Sequence, residues 1–380
     1  MCRLSRVIPS LLFALAIVAP LAADPSPRRN NDKTVTVMTR NLYYGASLDD
    51  AMAAIAGGDP EEIVAAVSQL WGVVRFTDFP SRARGLADEI ERARPDLIGL
   101  QEAALWRSDP YDGNPIPNAS HVEYDFAQIL IDALEARGLH YAVVVSETGF
   151  DAEFPGFLSE EDAGAGDLSD IRLTDREVIL ARTDLKTSEL KLSNPRWGNF
   201  ETNFTFPVGE GEFVLLRGWA SVDAKVRGKS FRFVTTHLED ESIDVRNAQA
   251  VEILAGPADT SLPVLLVLDA NSDANADPST EVYAAFTGDG FVDTWFEAHP
   301  GSLVTTCCNA PDLTNPDFPD VGDDEGRIDF VLYRGSGDFE TLRAELLGTD
   351  PDADRVLNPS GVEIWPTDHA GVSAKLEVHN

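Results

Sequence analysis

The amino-acid sequence predicts an α/β protein in which mixed β-sheets pack face to face with helices outside. Segment 263–271 carries five consecutive aliphatic residues and then stops at Asp269 and Asn271, a pattern typical of a strand buried on both faces. Other β segments are joined by a hairpin turn, and still others alternate with helical segments, so neither a wholly parallel sheet nor a pure sandwich fits. Asp269 and Asn271 are two apart and should project together from the strand's carboxyl end, where open α/β sheets usually carry their chemistry.

Strands are predicted from apolar runs and from alternation of apolar and polar residues. Arg227-Gly228-Lys229 separates two of these segments and is expected to form a hairpin turn. Besides the strand before Asp269, the predicted strands are 33–39, 96–100, 141–145, 177–181, 213–226, 230–236, 327–333 and 371–379.

Helices are predicted where a capping residue precedes an amphipathic segment. Asp59-Pro60 and Asp277-Pro278 each combine a capping side chain with proline at the first helical position. Pro95 and Gly138 should end two further helices. The predicted helices are 60–74, 81–94, 122–137, 243–254 and a segment running from Asp277-Pro278 to Phe286, while 149–170, 309–325 and 348–366 are expected to be loops.

Composition indicates a folded, strongly acidic protein. The 380 residues are 43% hydrophobic, with 6 Trp and 19 Phe, which excludes a disordered chain. The formal net charge of -34 argues against a protein that holds nucleic acid through its general field, because phosphate contacts need Lys and Arg. The acidic excess fits bound divalent cations or simply a soluble exported surface.

The first 23 residues have the pattern of a secretory signal peptide. Arg3 and Arg6 provide a basic start, an apolar core follows, and Ala22-Ala23 is a small-residue exit. Residues 24–380 would then be a single secreted or periplasmic domain, expected to be monomeric and without a stable membrane span. Its only cysteines, Cys307 and Cys308, are expected either to close a vicinal disulfide or to lie in a loop as two small buried residues.

Polar residues recur at the ends of the predicted strands. A single such residue is usually a solvated loop residue, but their joint recurrence indicates a site. Oxygen ligands suit Mg²⁺, Mn²⁺ or Ca²⁺ more than zinc, and His237 and His369 are candidates to bind or protonate a phosphate. Asp and Asn residues occupy every second position from Asp269 to Asp277, as in a calcium loop. The segment lacks the glycine at the sixth position and the glutamate at the twelfth that such a loop requires. The strand-end residues are Asn41, Glu102, His237, Asp269, Asn271, Asp329, Asp368 and His369.

Six short motifs, in order over about residues 34–378, resemble the endonuclease/exonuclease/phosphatase superfamily. Each motif alone is weak, but six in the right order are specific. The family includes pancreatic-type deoxyribonucleases, inositol-polyphosphate phosphatases and neutral sphingomyelinases. The motifs are Thr39-Arg40-Asn41-Leu42, Leu100-Gln101-Glu102, Thr235-Thr236-His237-Leu238, Leu268-Asp269-Ala270-Asn271, Arg327-Ile328-Asp329-Phe330 and Thr367-Asp368-His369.

The resemblance implies a four-layer α/β sandwich of the deoxyribonuclease I type and a metal-dependent hydrolase of phosphoric esters. Glu102 would be the principal metal ligand, with Asn41 and Asp368 beside the metal. Asp269 would activate water and Asn271 would hold the phosphate or that water. His237 and His369 would contact the phosphate, Asp329 would pair with His369, and Glu177 is assigned to His237.

The resemblance leaves the substrate open. A nucleic acid, a phospholipid head group and a small phosphodiester all remain candidates, although no hydrophobic membrane-docking hairpin is obvious. Leu268 stands where the family commonly has glycine, and the sequence around Asp329 disfavours the inositol phosphatase branch. The alternative function is a non-catalytic binding module on the same fold.

Overall fold

The computed structural model describes residues 33–208, 211–276, 279–322, 326–335 and 337–379. These residues belong to one compact unit. The predicted signal segment, 1–23, lies outside the described residues. Among the helices that are described, none combines the length and the apolar character that a membrane span requires.

Helices and strands follow one another in a mixed order. The helices are α1 (Asp49–Gly57), α2 (Pro60–Thr77), α3 (Phe79–Ala93), α4 (Phe126–Glu135), α5 (Glu160–Ala165), α6 (Ile243–Ala255), α7 (Glu281–Gly288) and α8 (Thr294–Ala298). The strands are β1 (Thr34–Asn41), β2 (Leu97–Gln101), β3 (Leu105–Pro110), β4 (His121–Asp125), β5 (Tyr141–Gly156), β6 (Ser169–Arg182), β7 (Leu190–Asn199), β8 (Phe204–Val208), β9 (Gly211–Leu215), β10 (Gly218–Val226), β11 (Lys229–His237), β12 (Val264–Asp269), β13 (Phe291–Asp293), β14 (Asp329–Arg334), β15 (Phe339–Leu347), β16 (Val356–Leu357), β17 (Glu363–Ile364) and β18 (Gly371–Val378).

Two large mixed sheets carry the fold. The first has eight strands in the order β15-β18-β1-β2-β6-β3-β4, with β5 paired to β6, and the second has six in the order β13-β14-β12-β11-β10-β7. In the second sheet, β12 runs parallel to β11 and antiparallel to β14. Its register aligns His237 with Asp269, and Asp269 with Asp329. Three of the predicted site residues are therefore neighbours across one row of the sheet.

The sheets pack against each other through an apolar layer that both contribute. Val37 and Leu97 of the first sheet join Phe233 and Val267 of the second in one buried cluster. At Gly99 a Cβ atom would lie 2.4 Å from the side chains of both Thr235 and Val267, so this close approach requires glycine.

Helices cover the outer face of each sheet. Residues of α2, α3 and α4 share a buried cluster with the first sheet, and residues of α6 and α7 share another with the second. The predicted four-layer sandwich is therefore confirmed. Leu268 belongs to the outer cluster of the second sheet and is fully buried there. Its side chain fills the layer under the helices, which explains a leucine at this position.

Local sequence signals placed several helix ends correctly. Asp59 caps α2 by accepting a hydrogen bond from the backbone N–H of Glu61 at 2.9 Å, with Pro60 as the first helical residue. The α3 helix ends at Ala93, just before Pro95, as predicted. Arg227 and Gly228 both have positive φ at the predicted hairpin turn between β10 and β11.

Other predictions were wrong in type or in boundary. The expected loop 149–170 instead holds the end of β5, helix α5 and the start of β6, because the long antiparallel pairing of β5 with β6 overrides a glycine- and acid-rich composition. Residues 122–125 belong to β4 rather than to helix α4. The segment 213–226 is divided between β9 and β10. The α7 helix begins at Glu281 with Thr280 as its cap, while Asp277-Pro278 lies outside the described residues.

Candidate active site

A polar cavity collects most of the predicted site residues where their strands end. The volume of this cavity that is open to the centre of a water molecule is about 260 Å³. Asn41 and Asp329 do not line the cavity directly. Asn41 is hydrogen-bonded to Asp269 and Asp329 to His369, and both of these partners line it. Six of the predicted residues line the cavity directly: Glu102, His237, Asp269, Asn271, Asp368 and His369.

Asp269 occupies the centre of the site, between the two histidines. Its Oδ2 atom lies 3.6 Å from His237 Nε2 and 3.6 Å from His369 Nδ1. The Asn41 amide donates to the same oxygen at 3.0 Å, and Oδ1 accepts from the backbone N–H of Asn271 at 3.0 Å. Burial raises the pKa of Asp269 to about 7, and the nearby charge of Asp329 adds to the rise. The carboxyl group can therefore exchange a proton near neutral pH.

His369 lies among carboxylates. Its Nδ1 is 2.9 Å from Oδ2 of Asp329, as the sequence predicted for this pair, and its Nε2 is 3.9 Å from Oδ1 of Asp368. Burial by itself lowers the pKa of His369, but the charges of Asp329, Asp368 and Asp269 raise it well above its ordinary value. The three carboxylates therefore favour the charged form of the ring.

His237 lies against a cation instead. Nη1 of Arg217 is 2.9 Å from His237 Nδ1. Burial lowers the pKa of His237 well below its ordinary value, and Arg217 and His369 lower it further. Because arginine only donates hydrogen bonds, Nδ1 accepts, and the proton of the neutral ring lies on Nε2. That nitrogen faces the polar cavity and lies 3.6 Å from Oδ2 of Asp269, which accepts hydrogen bonds; Nδ2 of Asn271, 3.0 Å from it, donates to the backbone oxygen of Leu238 at 2.9 Å.

The predicted pairing of Glu177 with His237 is wrong. Glu177 lies on β6 directly opposite Glu147 of β5, and burial together with Asp175 and Glu147 raises its pKa well above its usual range. Arg217 takes the place at His237 and is itself held by Asp240 at 3.0 Å and Asp175 at 3.9 Å. The sequence offered little sign of this, since Arg217 lies in the short link between β9 and β10 and carries no motif.

Glu102 lines another wall of the cavity, with Asn41 behind it. The Asn41 amide donates to Glu102 Oε1 at 2.9 Å, and the backbone N–H of Tyr44 donates to Oε2 at 2.9 Å. Glu102 and Asn271 both have positive φ, 52° and 47°, a strained conformation that clusters at functional sites. Burial raises the pKa of Glu102 to about 8, and Asp368 adds to the rise.

These residues fit a hard cation. Glu102 and Asp368 both line the cavity, and burial raises the pKa of each, although the nearby charge of His369 acts in the opposite direction on both. Carboxylate oxygens are the ligands that Mg²⁺, Mn²⁺ and Ca²⁺ prefer. The oxygen of Asn41 accepts from the backbone N–H of Tyr43 at 2.8 Å, and its amide donates to Glu102 and to Asp269, so this side chain orients two carboxylates of the site.

The two cysteines also belong to this cavity. Cys307 and Cys308 are joined as a vicinal disulfide and line the wall. Cys307, Cys308 and the His369 ring lie close together. Of the two alternatives that the sequence left open, the structure has the disulfide.

No family model and no curated protein matches the chain. Solved structures match its fold. An endonuclease/exonuclease/phosphatase family protein from Bacteroides thetaiotaomicron is 19% identical, with a TM-score of 0.54 over 92% of this chain and 99% of that one. A mannosyl-6-phosphatase of the same organism is 20% identical, with a TM-score of 0.51 over 90% of this chain and 99% of that one.

A third match is the endonuclease/exonuclease/phosphatase from Beutenbergia cavernae. It is 19% identical, with a TM-score of 0.53 over 92% of this chain and 72% of that one. The chain therefore has the fold of the endonuclease/exonuclease/phosphatase superfamily, which the six sequence motifs predicted.

Proposed function

We propose that this chain is an exported, monomeric, metal-dependent hydrolase that cleaves a phosphoric ester with an activated water molecule. The observation that carries the proposal is the position of Asp269, 3.6 Å from His237 on one side and 3.6 Å from His369 on the other. The surroundings of His237 favour its neutral ring, and those of His369 favour its cation. Asp269 as a base, His237 as a hydrogen-bond donor and His369 as an acid therefore line one cavity. The fold, which is that of the matched phosphatase and nuclease-type proteins, supports the same chemistry.

Glu102 and Asp368 would hold the divalent cation, with Mg²⁺ as the expected ion and Mn²⁺ or Ca²⁺ as alternatives. When bound, the cation neutralises charge on the phosphoryl oxygens and favours attack on phosphorus. Asn41 keeps the Glu102 carboxylate in position through its amide. The negative charge of Asp368 would otherwise repel an anionic substrate at the same place.

The chain's own groups account for the proton transfers. Asp269 accepts a proton from the attacking water, while the new bond forms between the water oxygen and phosphorus. His237 donates from Nε2 to a phosphoryl oxygen and, being neutral, does not compete for the proton. The bond from phosphorus to the leaving oxygen breaks, and cationic His369 supplies that oxygen with a proton. Asp329 keeps the His369 ring oriented throughout.

The test is hydrolysis of bis(p-nitrophenyl) phosphate, with Mg²⁺ or Mn²⁺ and with a chelator. Turnover should need the metal, and His369→Ala should lower kcat/KM by about 10²- to 10³-fold, because it removes the positive charge that faces the phosphoryl group in the transition state. His379→Ala is the matched control, since His379 lies at the surface and contacts Glu340 at 3.4 Å. Metal-independent turnover, or equal activity of the two variants, would contradict the proposal.

A further inference from the structure

A second cavity adjoins the polar one, and its wall is entirely apolar. We call it the apolar cavity. Fifteen side chains line it, and all are aliphatic or aromatic. The single side-chain N–H group among them, Nε1 of Trp106, donates to the backbone oxygen of Tyr44 at 3.0 Å and is not free for a ligand. A ligand in this cavity would find no hydrogen-bond partner and would have to be apolar itself.

The two cavities are neighbours and share part of their lining. Four side chains line both of them: Leu48, Met52, Phe150 and Leu215. All four are apolar, and we take them as the passage by which a molecule with its phosphorus beside Asp269 and His369 extends into the apolar cavity. The shared lining ties the second cavity to the chemistry of the first.

A hairpin that belongs to neither large sheet forms one wall of the apolar cavity. Strands β8 and β9 form a separate two-stranded sheet, and the tilted rings of Phe206 and Phe213 pack with their centroids 5.3 Å apart. Phe213 reaches Phe150 of β5 at 6.4 Å, and helix α1 supplies the opposite wall through Ala51 and Ile55. No hydrophobic hairpin was obvious in the sequence, but the structure contains one beside the site.

The dimensions favour a slender chain over a ring system. The centre of a water molecule can occupy only about 60 Å³ of the apolar cavity, compared with about 260 Å³ of the polar one. A nucleobase would also bury polar edges without hydrogen-bond partners in this cavity, which is unfavourable. An aliphatic chain has no polar edge and is narrow.

We infer that the substrate is a phosphoric ester carrying an aliphatic chain, with the phosphate in the polar cavity and the chain in the apolar cavity. This inference rests on the proposed function and deepens it. Each methylene group that leaves water for the cavity contributes to binding, up to the number that the cavity holds. Membrane phospholipids and free alkyl phosphates share this chemistry.

The test is a series of alkyl p-nitrophenyl phosphates with alkyl chains of one to eight carbons, assayed below their micelle-forming concentrations with Mg²⁺ or Mn²⁺. We expect kcat/KM to rise about two- to fourfold per methylene group until the cavity is full. A flat series, with the methyl ester still hydrolysed, overturns the inference alone. If the methyl ester and all longer esters resist hydrolysis, the proposed function fails instead.

Filling the cavity provides a matched pair of variants. Ala152 lines the apolar cavity on β5, whereas Ala142 lies exposed on the same strand. Ala152→Phe should reduce the octyl-to-methyl ratio of kcat/KM at least about tenfold and leave the methyl ester unaffected, while Ala142→Phe should change neither. Leu70→Trp fills the same cavity from helix α2 and replaces Ala152→Phe if that variant does not fold. An unchanged ratio in the filled variant overturns the inference.

Binding without turnover gives an independent measurement. Calorimetry in chelator should show octyl phosphate binding at least about tenfold more tightly than methyl phosphate, with a negative heat-capacity change. Equal affinities would contradict the inference, whatever the activity. Mixed vesicles of a phosphatidylcholine and a phosphatidic acid separate the two sources of the ligand: their hydrolysis identifies membrane lipid, and hydrolysis of soluble alkyl esters alone identifies free alkyl phosphates.

Discussion

The two sides of the polar cavity hold the same residue type in opposite surroundings. His369 lies 2.9 Å from the carboxylate of Asp329, whereas His237 lies 2.9 Å from the guanidinium of Arg217. Carboxylates raise the pKa of the first ring, while burial and a cation lower the pKa of the second. The difference shows how one cavity keeps an acid and a neutral donor together at one pH: the neighbour of Nδ1 decides the charge of each ring.

The largest effect on this contrast should come from removing the carboxylate on the His369 side. Asp329→Asn leaves the shape nearly unchanged but withdraws the charge that raises the pKa of His369. We expect kcat/KM at pH 7 to fall about 100-fold, since the ring loses most of its acidic form. The alkaline limb of the pH–rate profile should move to lower pH by about one unit or more.

A matched control for Asp329→Asn is Asp289→Asn. Asp289 pairs with Arg334 at the surface and does not line the cavity. Its replacement should leave the pH–rate profile unchanged. A profile of Asp329→Asn that keeps its alkaline limb would contradict the role assigned to this carboxylate.

A smaller effect on catalysis should follow from removing the cation on the His237 side. Arg217→Met takes away the positive charge at Nδ1, so the pKa of His237 should rise and the ring should begin to compete for protons. We expect activity at pH 7 to fall about tenfold. The variant should also lose about 3–5 kcal/mol of stability, because Asp175 stays buried without its partner.

Chemical denaturation measures the loss of stability in Arg217→Met, and histidine NMR measures the rise in the pKa of His237. Arg217→Lys keeps a cation and should retain the low pKa of His237 while losing part of the hydrogen bonding. If His237 titrated identically in the original chain and in Arg217→Met, the assigned role of Arg217 would be excluded.

The smallest effect is expected behind the His237 side, at Glu147. Burial raises the pKa of this carboxyl to about 8, and Asp175 adds to the rise. The protonated form is therefore favoured by the fold, and its contribution to stability is complete below about pH 4.5 and lost as pH rises through about 8. At pH 8.5 the free energy of unfolding of Glu147→Gln should exceed that of the original chain by on the order of 1 kcal/mol, so the variant should unfold at a higher denaturant concentration. At pH 4.5 the two proteins should unfold at the same concentration.

Exposed Glu61 of helix α2 provides the control for that measurement. Glu61→Gln should not reproduce the pH-dependent gain in stability. If Glu147→Gln were equally more stable at both pH values, the burial of a charge would not be its cause.

The site was predictable from the sequence wherever a strand end carried it. Asp269 ends one apolar strand and Asp329 begins another. The antiparallel register of these two strands then places the residues side by side. Asp368-His369 precedes the last strand in the same way. Local pattern and sheet pairing agree at these positions, so sequence reasoning found them.

Residues that depend on how distant segments cross were not predictable. Arg217 reaches His237 from a link between two hairpins, and only the packing of β10 against β11 brings them together. Glu177 was misassigned for the same reason, because its partner across the β5–β6 pair is Glu147. The apolar cavity is formed by α1, β5 and the small hairpin together, so the sequence of no single segment predicts it.

The most direct measurement of the central claim is ¹⁵N NMR of the histidine side chains in metal-free protein at pH 7. His237→Asn and His369→Asn assign the two resonance pairs. We expect a doubly protonated ring for His369 and a neutral ring protonated at Nε2 for His237. A neutral His369, a charged His237, or the Nδ1–H tautomer of His237 would contradict it.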